Sequence, residues 1–145
     1  MPSVEQVAKY ILQSIGKVTT MKLEKLVYYC QAWSLAWDEV PLFEEDFQAW
    51  ANGPVCPELF SKHKGLFVVD ENLLNDVIDY DFNKDQKETI QAVLDYYGNK
   101  KPQWLSELTH KEDPWKIARE GCPAGSSCTN IITKESMQLY YGGLV

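Results

Sequence analysis

The segment from Leu26 to Trp37, LVYYCQAWSLAW, constrains this chain more than any other. It is apolar almost without pause. It is also shorter than the ~20 residues a membrane-spanning helix needs, and Gln31 interrupts it. Thr19 or Thr20 can cap a helix that starts just upstream and runs to about Trp37. Leu23, Leu26, Val27, Cys30, Ser34 and Trp37 form one stripe at helical spacing, and Tyr29, Trp33 and Ala36 widen it. A helix apolar over so much of its circumference belongs at the centre, with other elements wrapped round it. The apolar fraction of 45% and the aromatic fraction of 12% supply enough material for that wrapping.

The wrapping elements are marked locally. Ser3 followed by Gln6 fits a capping box, and Val4, Val7, Ala8, Ile11, Leu12 and Ile15 recur at helical spacing before Gly16. After Pro41, FQAWA (Phe47 to Ala51) reads as a short strand, and Asn52-Gly53-Pro54 is a turn signal. Pro57 opens a short helix from Glu58 to Lys64, ended by Gly65. LFVVD (Leu66 to Asp70) is a second strand, predicted to pair with the first as a ribbon. Asn83 or Asp81 caps a helix carrying Ile90, Val93, Leu94 and Tyr97. Pro102 starts the next, Asp113 with Pro114 starts another, and Thr133 caps the last, with Ile132 and Met137 as a hydrophobic staple. No internal repeat or linker is visible. The expected fold is mainly α. It is a compact single-domain helical bundle of about six helices with a minor two-stranded β element, over residues 1–145.

The formal net charge is −7, and it is unevenly spread. Met1 to Val69 holds 8 acidic and 6 basic residues, Asp70 to Asp95 holds 8 and 2, and Tyr96 to Val145 holds 5 and 6. Direct nucleic-acid binding is not expected, because neutralising phosphates requires a basic face. The acidic stretch reads either as a solvated helix face with its flanking loop or as a docking surface for a basic protein.

The N-terminus carries Glu5 and Gln6 rather than a basic start, so a soluble, cytoplasmic protein away from membranes is expected. Cys30, Cys56, Cys122 and Cys128 are then expected as reduced thiols, the last two in the mobile loop CPAGSSC. That spacing is longer than the pairs of zinc sites. The only histidines are His63 and His110, and neither a metal nor a cofactor is expected. Glycine-rich phosphate loops, G-x-S-x-G and H-E-x-x-H are all missing, and no catalytic residues are assigned. His63, between lysines, is expected on the surface. His110 lies beside Glu112 and Asp113; it either joins two helices or serves a catalytic site that lacks a visible nucleophile. Arg119 is the single arginine, four residues after Trp115 on one helix face. Its planar fork suits a bidentate contact or a stack on an aromatic ring, made either internally, for instance in an ion pair with Glu112, or to a ligand. Most of Trp33, Trp37, Trp50, Trp104 and Trp115 should be core. Trp50 is the exception, since the rigid turn Ala51-Asn52-Gly53-Pro54-Val55 follows it and can present an aromatic anchor to a protein partner.

Four strings occur in order: KLEKLVYYCQAWSLAW (Lys22 to Trp37), PLFEEDFQAWANGPVCPELF (Pro41 to Phe60), LTHKEDPWKIAR (Leu108 to Arg119) and ITKESMQLYY (Ile132 to Tyr141). Together they resemble the Panacea antitoxin domain, a family of phage-associated, GepA-like and SocA-like proteins. The matching motif positions are Lys22, Leu23, Lys25, Leu26, Tyr28, Tyr29 and Gln31. They continue with Ala49, Trp50, Gly53, Pro54 and Val55. The last group is Thr109, His110, Glu112, Pro114, Trp115, Ala118 and Arg119. The CPAGSSC loop looks longer than in the family, and no fused second domain is expected after Tyr141. The resemblance implies a compact helical domain that neutralises a toxin, encoded by an adjacent gene, through direct protein binding. An alternative it allows is a proteolytic adaptor that delivers the toxin to an ATP-dependent protease, or a prophage-encoded regulatory interaction protein. An enzyme using His110 ranks last. Trp50, Asn52, Gly53, Pro54, Val55, His110, Trp115 and Arg119 are the candidate partner-binding residues.

Overall fold

The computed structural model describes the chain from Met1 to Val145. Helix α1 (Val4–Ile15) begins where the Ser3 hydroxyl accepts from the Gln6 amide and the Gln6 side chain accepts from the Ser3 amide. Its buried stripe is Val4, Val7, Ala8, Ile11 and Leu12. Helix α2 (Thr20–Trp33), capped by Thr19, is the centre: every residue from Leu23 to Ala32 is buried. The coil then widens into a π-helical turn, Ser34–Asp38, before the chain reverses at Glu39.

That widening moves Trp37 out of the predicted stripe. Its ring stacks on Trp33 with centroids 4.8 Å apart, but Trp37 is 46% exposed. A π turn advances the helix by a different angle per residue, so an α-helical phase no longer holds. Trp104 is 39% exposed, and Trp33, Trp50 and Trp115 are half-buried, so the expectation that most tryptophans are core is corrected. Gln31 proves to be an anchor rather than a flaw. Its Oε1 accepts from the Leu42 amide at 2.6 Å and its Nε2 donates to the Phe43 carbonyl at 2.7 Å. The chain after Pro41 is thereby drawn in, and Leu42 and Phe43 enter the core.

Five short strands follow: β1 (Val18–Thr19), β2 (Phe47–Trp50), β3 (Gly53–Val55), β4 (Val68–Val69) and β5 (Ile131–Ile132). They make an antiparallel three-stranded sheet, β3-β2-β5, and a two-stranded one, β1-β4. The single ribbon expected from residues 47–51 and 66–70 does not form. Asn52 lies between β2 and β3, so β2 folds straight back on its own sequel and pairs Trp50 with Gly53. Its other edge is then free for β5, and β4 pairs with β1.

The remaining helices are α3 (Pro57–His63), α4 (Lys84–Tyr97), α5 (Pro102–Lys111), α6 (Asp113–Ala118) and α7 (Lys134–Gly142). The fold is mainly helical, with seven α-helices where about six were expected, and with more sheet than a two-stranded element. Asn83 with Gln86 caps α4, and Thr133 caps α7, as the sequence predicts. A contiguous core of 31 buried residues joins α1, α2, α4 and α7 to the sheet. No helix is long and apolar enough to cross a membrane.

One polar network crosses that core. The Glu112 carboxylate, at the joint of α5 and α6, accepts from Tyr29 at 2.7 Å and from Tyr141 at 2.8 Å. Tyr28 reaches the Tyr141 hydroxyl at 3.1 Å, and Tyr29 stacks on Tyr97 at 4.1 Å. Burial pushes the Glu112 carboxyl up, and the two tyrosine donors pull it back. The Tyr28-Tyr29 pair and Glu112 of the family pattern are therefore parts of one internal tie between α2, α6 and α7.

Candidate functional site

Three segments distant in sequence converge on the turn between β2 and β3. From α2, the Lys25 ammonium donates to the Pro54 carbonyl at 3.2 Å, and Glu24 Oε1 accepts from the Cys56 amide at 2.9 Å. From α5, the Ser106 hydroxyl donates to the Asn52 carbonyl at 2.6 Å. From α6, Trp115 Nε1 donates to the Trp50 carbonyl at 2.9 Å, and Arg119 Nη1 to the Ala49 carbonyl at 3.0 Å. The carbonyls of Ala49, Trp50, Asn52 and Pro54 are thus held by side chains from three helical segments. Gly53 sits within it at φ 120°, and a Cβ there would lie 2.5 Å from Lys25 Cε and 2.9 Å from Thr109 Oγ1. The turn needs glycine because the lysine stem crosses directly over it.

Beside the turn opens a cleft of about 400 Å³. Met21, Trp50, Val55 and Phe60 wall it, and Ser127 to Thr129 form the opposite rim. Thr20, Glu24, Lys25, Ala51, Asn52 and His63 complete the lining. Trp50 meets Phe60 edge to face at 4.8 Å, and its indole N–H is satisfied by Gln48 at 2.8 Å. His63, expected on the surface, is buried, with Nε2 2.7 Å from Glu24 Oε2. It lies one turn after Phe60 on α3, so it shares the inward face while its lysine neighbours stay outside.

Lys25 is buried and makes no salt bridge; Pro54 is its one acceptor. Burial lowers its pKa to about 8, with the Glu24 charge pulling the other way.

The candidate residues divide into two groups. Trp50, Asn52 and Val55 line the cleft. Gly53 and Pro54 are buried in the turn, while His110, Trp115 and Arg119 support it from behind. His110 stacks on Trp115 at 4.1 Å, and its Nε2 is buried without a partner. Its pKa is lowered by burial and by the charges of Lys25 and Arg119, against the pull of a bond to the Ala51 backbone. It closes α5 just before α6 begins, as the joining role requires.

Arg119 is buried over the Trp115 ring, with its guanidinium carbon 5.2 Å from the centroid. Besides Ala49 it donates to the Pro123 and Ser126 carbonyls, each at 2.9 Å. It pairs with no carboxylate, which corrects the ion-pair alternative, while the stack on an aromatic ring is the one it makes with Trp115; it is not part of the lining of the cleft beside the turn. Glu112 is occupied by tyrosines, and backbone oxygens take the fork instead. By gathering Pro123 and Ser126, Arg119 folds the loop on itself. Cys122 and Cys128 meet there in a disulfide, with Cα atoms 6.1 Å apart, rather than standing as free thiols. Cys30 and Cys56 stay free and buried. Arg119→Lys should cost about 2 kcal/mol in urea unfolding, because an ammonium cannot satisfy three divergent carbonyls. A loss below ~0.5 kcal/mol would show that the fork is dispensable.

Lys25 stood among the family-pattern positions without a role assigned to it, and Glu24, His63 and Phe60 were not singled out as site residues by sequence. One signal was present: two adjacent charges in a helix otherwise read as core.

The geometry is that of a helical protein built to hold one turn and its adjoining cleft rigid. Residues 23–116 match the family described as "Antitoxin SocA-like, Panacea domain", and the chain belongs to that family. The matched range includes the turn, Lys25, His63 and Trp115. No curated protein and no solved structure matches the chain.

Proposed function

We propose that this protein is an antitoxin that neutralises a protein toxin, the product of an adjacent gene, by binding it directly. The turn Trp50 to Val55 and its cleft form the contact surface. The observation that carries this reading is the anchoring of the turn by Lys25, Ser106, Trp115 and Arg119. A surface ordered before binding loses little conformational freedom when a partner arrives. It presents an aromatic wall, Trp50 with Phe60, of the kind that anchors protein interfaces. Co-expression with the neighbouring gene tests the reading. The two products should co-purify and growth should recover; failure of both removes the antitoxin assignment.

The acidic stretch supplies approach rather than grip. Glu71, Asp76, Asp79, Asp81, Asp85, Glu88 and Asp95 are exposed. Asp79 is held by Lys9 at 3.1 Å, Asp76 by Lys62 at 3.9 Å and Glu88 by Lys84 at 3.8 Å, so part of the charge is answered internally. The rest speeds association with a basic toxin. Reversing Asp81, Asp85 and Asp95 to lysine should lower the association rate about tenfold at low salt and far less at high salt. An unchanged rate would return the stretch to an ordinary wet surface.

A further inference from the structure

We propose that the cleft receives an acidic side chain from an otherwise apolar segment of the partner protein, and that Lys25 is its counter-ion. The inference rests on reading the cleft as the toxin contact, and it adds what the cleft recognises.

Lys25 carries three N–H donors, and the protein supplies one neutral acceptor, the Pro54 carbonyl. Its ammonium is buried and makes no salt bridge. A buried charge without a partner is costly, so an arriving carboxylate gains more here than at an exposed lysine. The neighbouring Glu24 favours the ammonium by its charge but makes no ion pair with it. Its Oε1 is taken by the Cys56 amide and its Oε2 by His63. His110, on α5 behind the turn, adds no negative charge.

Two further features favour an anion at this place. Thr20 and Met21, the first residues of α2, line the same cleft and bring the positive end of a 14-residue helix to it. The walls are Met21, Trp50, Val55 and Phe60, which reward apolar groups. A carboxylate flanked by apolar side chains satisfies both; a hydrated inorganic ion satisfies only the first. The cleft and the acidic stretch would then read different features of one partner, a local acidic residue and an overall basic surface.

Short peptides test this on the whole protein. N-acetyl-Leu-Glu-Phe-amide should shift the backbone amide resonances of Ala51, Asn52, Val55 and Thr129 in a saturable way. The glutamine counterpart should bind at least tenfold more weakly. Lys25→Met should abolish the difference between the two while leaving weak apolar binding. Equal binding of both peptides to the unaltered protein, or no binding at millimolar concentration, would overturn the proposal without any variant. Inorganic phosphate competing as well as the glutamate peptide would replace it with a small-anion site. Co-purification separates this from the antitoxin reading. If the neighbouring gene product is captured by the unaltered protein and by Lys25→Met with equal affinity, the cleft assignment falls and the antitoxin reading stands. If neither captures it, both fall.

Discussion

Gly53→Ala is expected to destabilise the protein by about 2–6 kcal/mol, a large share of the ~5–15 kcal/mol that holds an ordinary domain folded. Two costs add. At φ 120° an alanine is held in a region that L-residues rarely adopt, worth ~1–3 kcal/mol. Its Cβ would also meet Lys25 Cε at 2.5 Å and Thr109 Oγ1 at 2.9 Å, and overpacking of this kind costs ~1–3 kcal/mol. The two can be told apart by a double-mutant cycle. In a Lys25→Ala background the clash with the lysine stem disappears and the strain remains. The cost of Gly53→Ala should then fall by at least ~1 kcal/mol, a coupling expected for residues in contact. Additive effects in urea unfolding would mean that the lysine does not dictate the glycine. A cost under ~1 kcal/mol for the single variant would mean that the turn relaxes.

Lys25→Met is expected to give a more stable protein at pH 7, and the gain should vanish in mild alkali. A lysine pKa of about 8 in the folded chain, against 10.5 unfolded, amounts to about 3 kcal/mol of burial penalty at neutral pH. Between pH 8 and 10.5 the unfolded chain binds more protons at this group than the folded one, so stability from this group rises with pH there. The penalty is therefore full below pH 8 and is relieved above it. Methionine keeps the volume and removes the charge, but leaves the Pro54 carbonyl without its donor, at a cost of ~1–3 kcal/mol. The net gain is about 1 kcal/mol at pH 7, a rise of ~2–4 °C in Tm for a chain of this size. Near pH 9.5 the variant should be the less stable of the two. Tyr28, Tyr29, Cys30 and Cys56 also have raised pKa values, but they are common to both proteins and drop out of the difference. A variant less stable at pH 7 would show that Lys25 is a structural strut. A more stable variant that no longer prefers the glutamate peptide would show a residue kept for binding at the expense of stability.

Much of the fold was visible in the sequence because its signals are local. Ser3 with Gln6, Thr19, Asn83 with Gln86, and Thr133 cap the helices that their positions predict, since a cap needs only a side chain and an amide three residues on. The two-residue strands were not visible in the same way. Val18–Thr19 and Ile131–Ile132 are too short to show an alternation, and their partners lie tens of residues away. The π-helical turn at Ser34 broke the phase on which the placing of Trp37 depended.

The site was half visible. Trp50, Asn52 and Val55 could be picked out because a turn after an aromatic residue is a local pattern. Arg119 stood out as the single arginine, but its acceptors are the backbone oxygens of Ala49, Pro123 and Ser126, which no side-chain pattern encodes. His63 looked exposed between two lysines, and only the packing of α3 against α2 turned it towards Glu24. The sequence by itself determined the central helix, the helix starts and the family pattern, because each is written in side-chain types at short spacing. The tertiary structure alone decided that Lys25 passes over Gly53, that Cys122 meets Cys128, and that Trp50, Phe60, His63 and Lys25 share one cleft. The disulfide follows from a loop whose carbonyls Arg119 gathers, and the other relations run through backbone carbonyls and contacts between residues far apart in the chain, where every residue offers the same acceptor and spacing carries no signal.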